Sequence, residues 1–79
     1  MTLSDLKPGR FATVDTVQTG RFGAGLTTRL EAMGVTPGRA IRVLRAAWFG
    51  GPLEVQVGST TVIAIRRSEA KQVLVNQEI

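Results

Sequence analysis

The chain of 79 residues contains no cysteine and no histidine. It therefore cannot form a disulfide, and it lacks thiol nucleophiles, imidazole bases and the usual ligands of structural zinc sites. For a transition-metal ion only carboxylates, amides and carbonyl oxygens remain, and these bind it weakly. The six acidic residues are spread along the chain, and no two are spaced four apart on one helix face. We expect no cofactor and no dedicated metal site.

Residues for catalysis are equally scarce. An enzyme needs a nucleophile with a base in reach, or a tuned pair of acid and base. The serines, Ser4, Ser59 and Ser68, all fall where turns or helix caps are expected. Ser68 is expected to cap a single helical turn in which Glu69 is a surface acid. We predict that the protein is not an enzyme.

Long hydrophobic runs are absent too. There is no run of about 18 apolar residues that could cross a membrane, and no secretory apolar region, so we expect a cytoplasmic protein. The length fits a single domain over residues 1–79. A domain of this size buries only roughly 60% of its unfolded surface, so its apolar residues are needed for the core. Little remains to build a deep substrate pocket.

The charge is positive, with ten lysines and arginines against six acids and a formal net charge of +4. A nucleic-acid-binding surface would cluster its cations along one stripe. Here they are scattered through the sequence, which favours a solvated surface or an acidic protein partner.

Alternation of apolar and polar residues predicts short β-strands. Pro8-Gly9 and Pro37-Gly38 each predict a type II turn that leads into a strand, and Gly58-Ser59 predicts a tight hairpin. Residues 6–14 and 35–43 resemble each other, which shared turn chemistry explains better than an old duplication. The predicted strands are 11–17, 40–45, 53–57, 61–66 and 72–75.

One helix is predicted after the first strand, over about residues 24–33. Leu26, Leu30 and Met33 recur at helical spacing, and Gly34 follows where a left-handed residue ends a helix. Five short strands must curl to cover their apolar face. The sequence therefore predicts a mainly β protein, a small barrel with one inserted α-helix.

Several segments resemble the FeoA family. Residues 29–38 resemble its helix end followed by Leu-Gly-Leu-Thr-Pro-Gly, residues 50–57 its hairpin exit and third strand, and residues 63–70 its apolar strand, Arg and Glu-Ala turn. The resemblance runs in order over nearly the whole chain. It implies an SH3-like barrel, a cytoplasmic location and association with FeoB, a membrane protein with a GTPase domain that moves ferrous iron. The resemblance also extends to a domain at the C-terminal end of some metal-dependent repressors.

Two predicted projections supply candidate partner-binding residues. Trp48 and Phe49 fall at the tip of the second hairpin, where they either anchor a protein interface or fold back to plug the barrel end. Arg21 and Phe22 lie in the glycine-rich segment 20–25, a candidate recognition loop; no Gly-Lys-Ser or Gly-Lys-Thr follows, so a P-loop is excluded. Arg45, just before the hairpin, is the fifth candidate.

Three functions are compatible with these observations to different degrees. The leading hypothesis is a non-catalytic binding module that docks on the cytosolic part of FeoB and modulates its activity or assembly. The alternative is a small basic barrel that reads nucleic acid with Arg42, Arg45, Trp48 and Phe49. An iron chaperone is disfavoured by the ligand chemistry, and self-association remains open.

Overall fold

The computed structural model describes residues 1–77 and contains one antiparallel sheet of five strands in the order β4-β3-β2-β1-β5. Each strand lies within two residues of its predicted bounds at either end. The predicted mainly β fold, with a helix inserted after the first strand, is confirmed. The strands are β1 Phe11–Val17, β2 Ala40–Ala46, β3 Leu53–Val57, β4 Thr61–Ile65 and β5 Val73–Gln77.

Two α-helices and three short 3₁₀ turns make up the other regular elements of residues 1–77. Helix α1, Ala24–Ala32, buries Leu26 and Leu30. It ends as predicted, because Gly34 takes a φ of +91° and the following Val35 amide donates to the Leu30 carbonyl at 2.9 Å. Helix α2 is Arg67–Ala70, and the 3₁₀ turns are Leu3–Asp5, Gly20–Phe22 and Trp48–Gly50.

The two similar segments of the sequence, residues 6–14 and 35–43, are joined to each other by backbone hydrogen bonds. Gly9 and Gly38 have φ values of +88° and +87°, as the third position of a type II turn requires. The Gly9 amide donates to the Val43 carbonyl at 2.8 Å, and the Gly38 amide donates to the Val14 carbonyl at 2.8 Å. Val14 and Val43 occupy equivalent places in the two segments. The similarity of the two segments therefore has a structural role, since the turn of each segment donates a hydrogen bond to the strand of the other.

The sheet curls around a core supplied by its inner face, α1 and the N-terminal segment. Irregular register in β1 between Val14 and Thr16, and in β2 between Val43 and Arg45, bends these strands. Beyond the sheet, Leu3, Leu6, Leu26, Leu30 and Val35 are buried in the same cluster. From the sheet and α2 the core takes Ala12, Val14, Ile41, Val43, Leu53, Val55, Val57, Ile65, Ala70, Val73 and Val75.

The start of α2 corrects two expectations. Its N-cap is Arg66 rather than Ser68, because the Glu69 carboxylate accepts a hydrogen bond from the Arg66 amide at 3.1 Å. The strand predicted to reach residue 66 consequently ends at Ile65. Glu69 is not a surface acid, since only 7% of it is exposed. A buried carboxylate needs charged or hydrogen-bonding partners, and Glu69 finds a second one in the Arg29 guanidinium of α1.

Candidate partner-binding site

The connection between β2 and β3, residues 47–52, forms a projection that we call the Trp–Phe hairpin. Trp48 is 86% exposed and Phe49 is 101% exposed, so neither ring plugs the barrel end. The ring centroids lie 6.4 Å apart at a tilt of 50°. The hairpin therefore presents a pair of adjacent aromatic rings to solvent, where a partner could bury both.

The backbone of the Trp–Phe hairpin is tightly folded. Phe49 has a φ of 57° and a ψ of 40°, a left-handed conformation that is uncommon for a bulky residue and costs of order 1–3 kcal/mol. A Cβ atom on Gly51 would lie 2.7 Å from the Ala47 Cβ, so only glycine fits there. The Ala47 amide donates to the Pro52 carbonyl at 3.0 Å and closes the base. The two aromatic rings are therefore carried on a defined turn.

Arg67, the first residue of α2, binds the backbone at the base of this hairpin. Its Nε donates to the Gly51 carbonyl at 2.9 Å, and its Nη2 donates to the Ala47 carbonyl at 2.9 Å. A guanidinium that makes two bonds at once fixes orientation as well as distance. Arg67 was not among the residues singled out from the sequence, because its partners lie 16 and 20 residues away.

The second predicted projection follows β1. Residues Gly20–Phe22 form a 3₁₀ turn, and Phe22 is 37% exposed. The Gln18 amide donates to the Gln72 carbonyl at 2.7 Å, and a Cβ on Gly20 would lie 2.4 Å from the Gln72 Oε1. The side chain of Arg21 lies outside the described residues, so its role stays a prediction.

Helix α2 thus connects the two projections. Arg67 at its start contacts the Trp–Phe hairpin, and Gln72 just beyond its end contacts the turn at Gly20. In between, the Glu69 carboxylate accepts hydrogen bonds from the Arg29 guanidinium and the Arg66 amide. Burial alone would raise the pKa of the Glu69 carboxyl, but these hydrogen bonds and nearby positive charges outweigh it and hold the pKa below its usual value.

Arg45 lies on the outer face of the sheet. Its Nε is 3.6 Å from Oε1 of Glu54 on the neighbouring strand, and both side chains are exposed enough for the pair to contribute little to stability. A shallow depression of about 160 Å³ separates it from the hairpin base. The structure therefore places Arg45 beside the hairpin and already paired with an acid. The depression is lined by Arg45, Ala47, Pro52, Leu53, Glu54 and Ala64.

A second surface feature was not predicted from the sequence. The Arg42 guanidinium lies 4.7 Å from the centroid of the Phe11 ring, and its Nη2 donates to Gln56 Oε1 at 2.7 Å. These residues border an open groove of about 630 Å³ that Arg39 also lines. Phe11 and Arg42 are paired across β1 and β2. Their contact could not be predicted from the sequence, because it depends on the register of the two strands.

Neither a metal centre nor a membrane span is found in the described part of the chain. Among residues 1–77, no three Asp, Glu, His or Cys side chains lie close enough to hold a metal ion. None of the helices in these residues is long and apolar enough to cross a membrane.

The FeoA domain model matches residues 1–77. A structure of FeoA from Stenotrophomonas maltophilia is 39% identical, with a TM-score of 0.84, and the match covers 99% of this chain and 95% of that one. It is described as an SH3 domain protein complexed with zinc and suggested to act as a ferrous iron transport activating factor. FeoA from Chlorobium tepidum is 34% identical, with a TM-score of 0.87, over 98% of this chain and 70% of that one.

A more distant likeness concerns the fold alone. A manganese-dependent transcriptional repressor bound to manganese is 18% identical, with a TM-score of 0.88, over 99% of this chain and 36% of that one. Thus a domain of this fold also occurs inside a metal-dependent repressor, as the family resemblance implied. No curated protein sequence matches the chain.

Proposed function

This chain belongs to the FeoA family, which is associated with ferrous iron transport, and on that premise we propose that it is a cytosolic, non-catalytic accessory protein. It binds the cytosolic part of a FeoB-type membrane GTPase and modulates the activity or assembly of that transporter. GTP hydrolysis and iron movement belong to the partner. The barrel contributes a docking surface, whose candidate residues are Arg21, Phe22, Arg45, Trp48 and Phe49.

One observation carries this proposal: the exposure of Trp48 and Phe49 on a constrained turn. Aromatic residues bury about 150–250 Å² each and are enriched among the residues that dominate binding energy. A turn that is already ordered loses little conformational entropy on binding. The Arg67 hydrogen bonds supply part of that order. The Trp–Phe hairpin therefore has both the chemistry and the rigidity of an interface anchor.

Binding is tested by titrating the chain with the cytosolic domain of the FeoB-type partner, once loaded with nucleotide and once without. Trp48→Ala should weaken binding by about 2 kcal/mol, which is roughly 30-fold. Phe11→Ala is the matched control, because it removes an aromatic ring from the outer face of the sheet, away from the hairpin. Absence of binding in both nucleotide states, or equal affinity of the two variants, would contradict the proposal.

Modulation is tested by the GTPase rate of that domain with and without the chain. The proposal requires a change in rate or in transporter assembly that Trp48→Ala reduces, together with reduced iron uptake in cells that carry this variant. A rate and an uptake that do not respond to the chain would contradict it. The direction of the change is measured by the same assay.

Iron is, under this proposal, the cargo of the transporter rather than a ligand of this chain. The donor set supports that assignment, since the sequence has no histidine or cysteine and its acids do not cluster among residues 1–77. Calorimetry with ferrous iron under anaerobic conditions should show no binding in the micromolar range. Micromolar or tighter binding would instead favour an iron chaperone.

The nucleic-acid alternative rests on Arg42, Arg45, Trp48 and Phe49 acting together. The two arginines already have partners: Arg42 contacts Phe11 and Gln56, and Arg45 pairs with Glu54. Phosphate contacts would make binding fall steeply as salt rises. Weak, salt-independent binding to oligonucleotides is expected, and strong salt-dependent binding would favour this alternative.

A further inference from the structure

The two edges of the sheet differ in how they are covered. At β5 the Val75 amide donates to the Met1 carbonyl at 3.0 Å, and Thr2 forms a bridge with Leu74, so the N-terminal segment covers that edge. At the other edge, β4 pairs with β3 over its full length. Within residues 1–77, no further backbone hydrogen bond reaches Thr61–Ile65. The chain therefore covers one edge and leaves the other open.

The hydrogen-bond pattern identifies the open groups on β4. The Gly58 amide donates to the Ala40 carbonyl, so Gly58 and then Gln56 face β2, while Val55 and Val57 face β4. Val55 and Val57 are paired with residues 63 and 61 of β4. It follows that residues 61, 63 and 65 bond to β3, whereas the amides and carbonyls of residues 62 and 64 point away from the sheet.

This edge lacks the features that normally prevent pairing. Natural edge strands carry charged side chains, prolines or bulges. β4 reads Thr-Val-Ile-Ala-Ile, and its register with β3 is regular. Val62 is 52% exposed on the outer face, and Ile63 on the inner face is half-buried against the core. An added strand would cover both side chains.

Positive charge flanks the open edge at both ends. At the Gly58 end, a Cβ on that glycine would lie 2.8 Å from Arg39 Nη2, which places the Arg39 guanidinium beside the β3–β4 turn that precedes β4. At the other end Arg66 follows Ile65 directly. Both arginines are exposed, and in the part of the chain described neither forms an ion pair. An occupant with acidic residues at its two ends would be attracted to this edge.

We propose that β4 receives an extended segment of a protein partner as an additional strand, apolar at alternate positions and acidic at both ends. This deepens the proposed function and rests on it for the existence of a protein partner. Backbone hydrogen bonds to residues 62 and 64 supply affinity, while the two arginines select the acidic segment. A second copy of this chain fits poorly, because antiparallel pairing of two β4 strands brings Arg66 of one copy toward Arg39 of the other.

The probe is an acetylated, amidated peptide, Glu-Val-Thr-Val-Thr-Val-Glu, followed by amide hydrogen exchange. Binding should slow exchange at the Val62 and Ala64 amides, which are open in the free protein. Replacing both Glu by Lys should weaken binding about tenfold, since exposed ion pairs contribute modestly. Methylating the peptide amides that face β4 should abolish binding. Unchanged exchange at both residues, or equal affinity of the methylated peptide, would overturn the proposal.

Val62→Pro tests the same point from the protein side. It removes an amide that points away from β3, so the β3 ladder keeps its hydrogen bonds and peptide affinity should fall about tenfold. Val62→Thr keeps the amide and the branched shape, and it should bind as the parent does. Should Val62→Pro fail to fold, the affinity of the methylated peptide for the parent protein still tests the proposal. Equal binding by a folded Val62→Pro variant would overturn the proposal.

Two further outcomes would also overturn it. Protection of Val62 and Ala64 that rises with protein concentration, without peptide, would identify a second copy as the occupant. Salt-dependent protection by a single-stranded oligonucleotide, but not by the peptide, would identify a nucleic acid. The peptide arm can fail while the chain still binds the transporter domain, and it can succeed while that binding fails, so the two proposals are tested separately.

Discussion

Replacing Arg67 by methionine tests whether α2 holds the Trp–Phe hairpin. The substitution keeps much of the aliphatic stem and removes both hydrogen bonds to the Gly51 and Ala47 carbonyls. Hydrogen bonds to charged groups contribute about 1.5–3 kcal/mol each. Arg67 is half-buried and the carbonyls can regain water, so each bond is expected to contribute about 1 kcal/mol here. We expect the free energy of unfolding to fall by about 2 kcal/mol in total.

The assay is urea denaturation followed by far-ultraviolet circular dichroism. A slope near 1 kcal/mol per molar urea, typical of a domain this small, converts the loss into a midpoint lower by about 2 M. The fluorescence of Trp48, the sole tryptophan, is a poor reporter of unfolding because its ring is exposed already. Its anisotropy is useful instead, since a hairpin released from Arg67 lets the ring move more freely.

Arg66→Met is the matched control. It removes the same charge from the neighbouring residue, which is exposed and does not contact the hairpin carbonyls. Its free energy of unfolding should change by less than about 0.5 kcal/mol. Arg67→Lys should be intermediate, because an ammonium group does not match the fixed geometry in which the guanidinium reaches both carbonyls. If Arg67→Met and Arg66→Met have the same stability and the same Trp48 anisotropy, the hairpin does not depend on Arg67.

Other predictions concern the remainder of the fold. Glu69→Gln should cost about 1–2 kcal/mol near neutral pH, because Arg29 loses its charged partner. The lowered pKa of Glu69 means that this stabilisation is complete above the unfolded-state value of about 4.3 and is lost as the pH falls through the folded-state value, so denaturation curves of parent and variant should converge in acid. Gly38→Ala should cost about 1 kcal/mol, because the residue has a φ of +87°, whereas Gly25→Ala within α1, where a Cβ meets no atom, should raise the melting temperature slightly. Leu30→Ala should cost about 2–5 kcal/mol by calorimetry, as that side chain is fully buried.

The strands, the inserted helix and the turns could be predicted because their signals are local. Pro37-Gly38 determines a turn through the conformations of two residues, and Leu26, Leu30 and Met33 are spaced as one face of a helix requires. These elements lie within two residues of their predicted bounds. Local propensity and tertiary packing favour the same conformation at these positions, so the sequence pattern was sufficient to predict these elements.

The interactions that hold the candidate site could not be predicted, because they join distant parts of the chain. The partner of Glu69, Arg29, lies 40 residues earlier, so the sequence made Glu69 look like a surface acid. Arg67 acts on hairpin carbonyls, which have no side-chain signature. The sequence did identify Trp48 and Phe49 as candidates, but whether they faced inward or outward depended on the backbone turn at Phe49.

The most direct test of docking through the Trp–Phe hairpin is to place a fluorine label on Trp48 and to observe it while the partner binds. Because Trp48 is the sole tryptophan, incorporating 5-fluorotryptophan gives one ¹⁹F signal. Adding the unlabelled cytosolic domain of the FeoB-type transporter should shift and broaden that signal until saturation, as the ring leaves water. Binding detected by calorimetry with no change in the ¹⁹F signal would contradict docking through this hairpin.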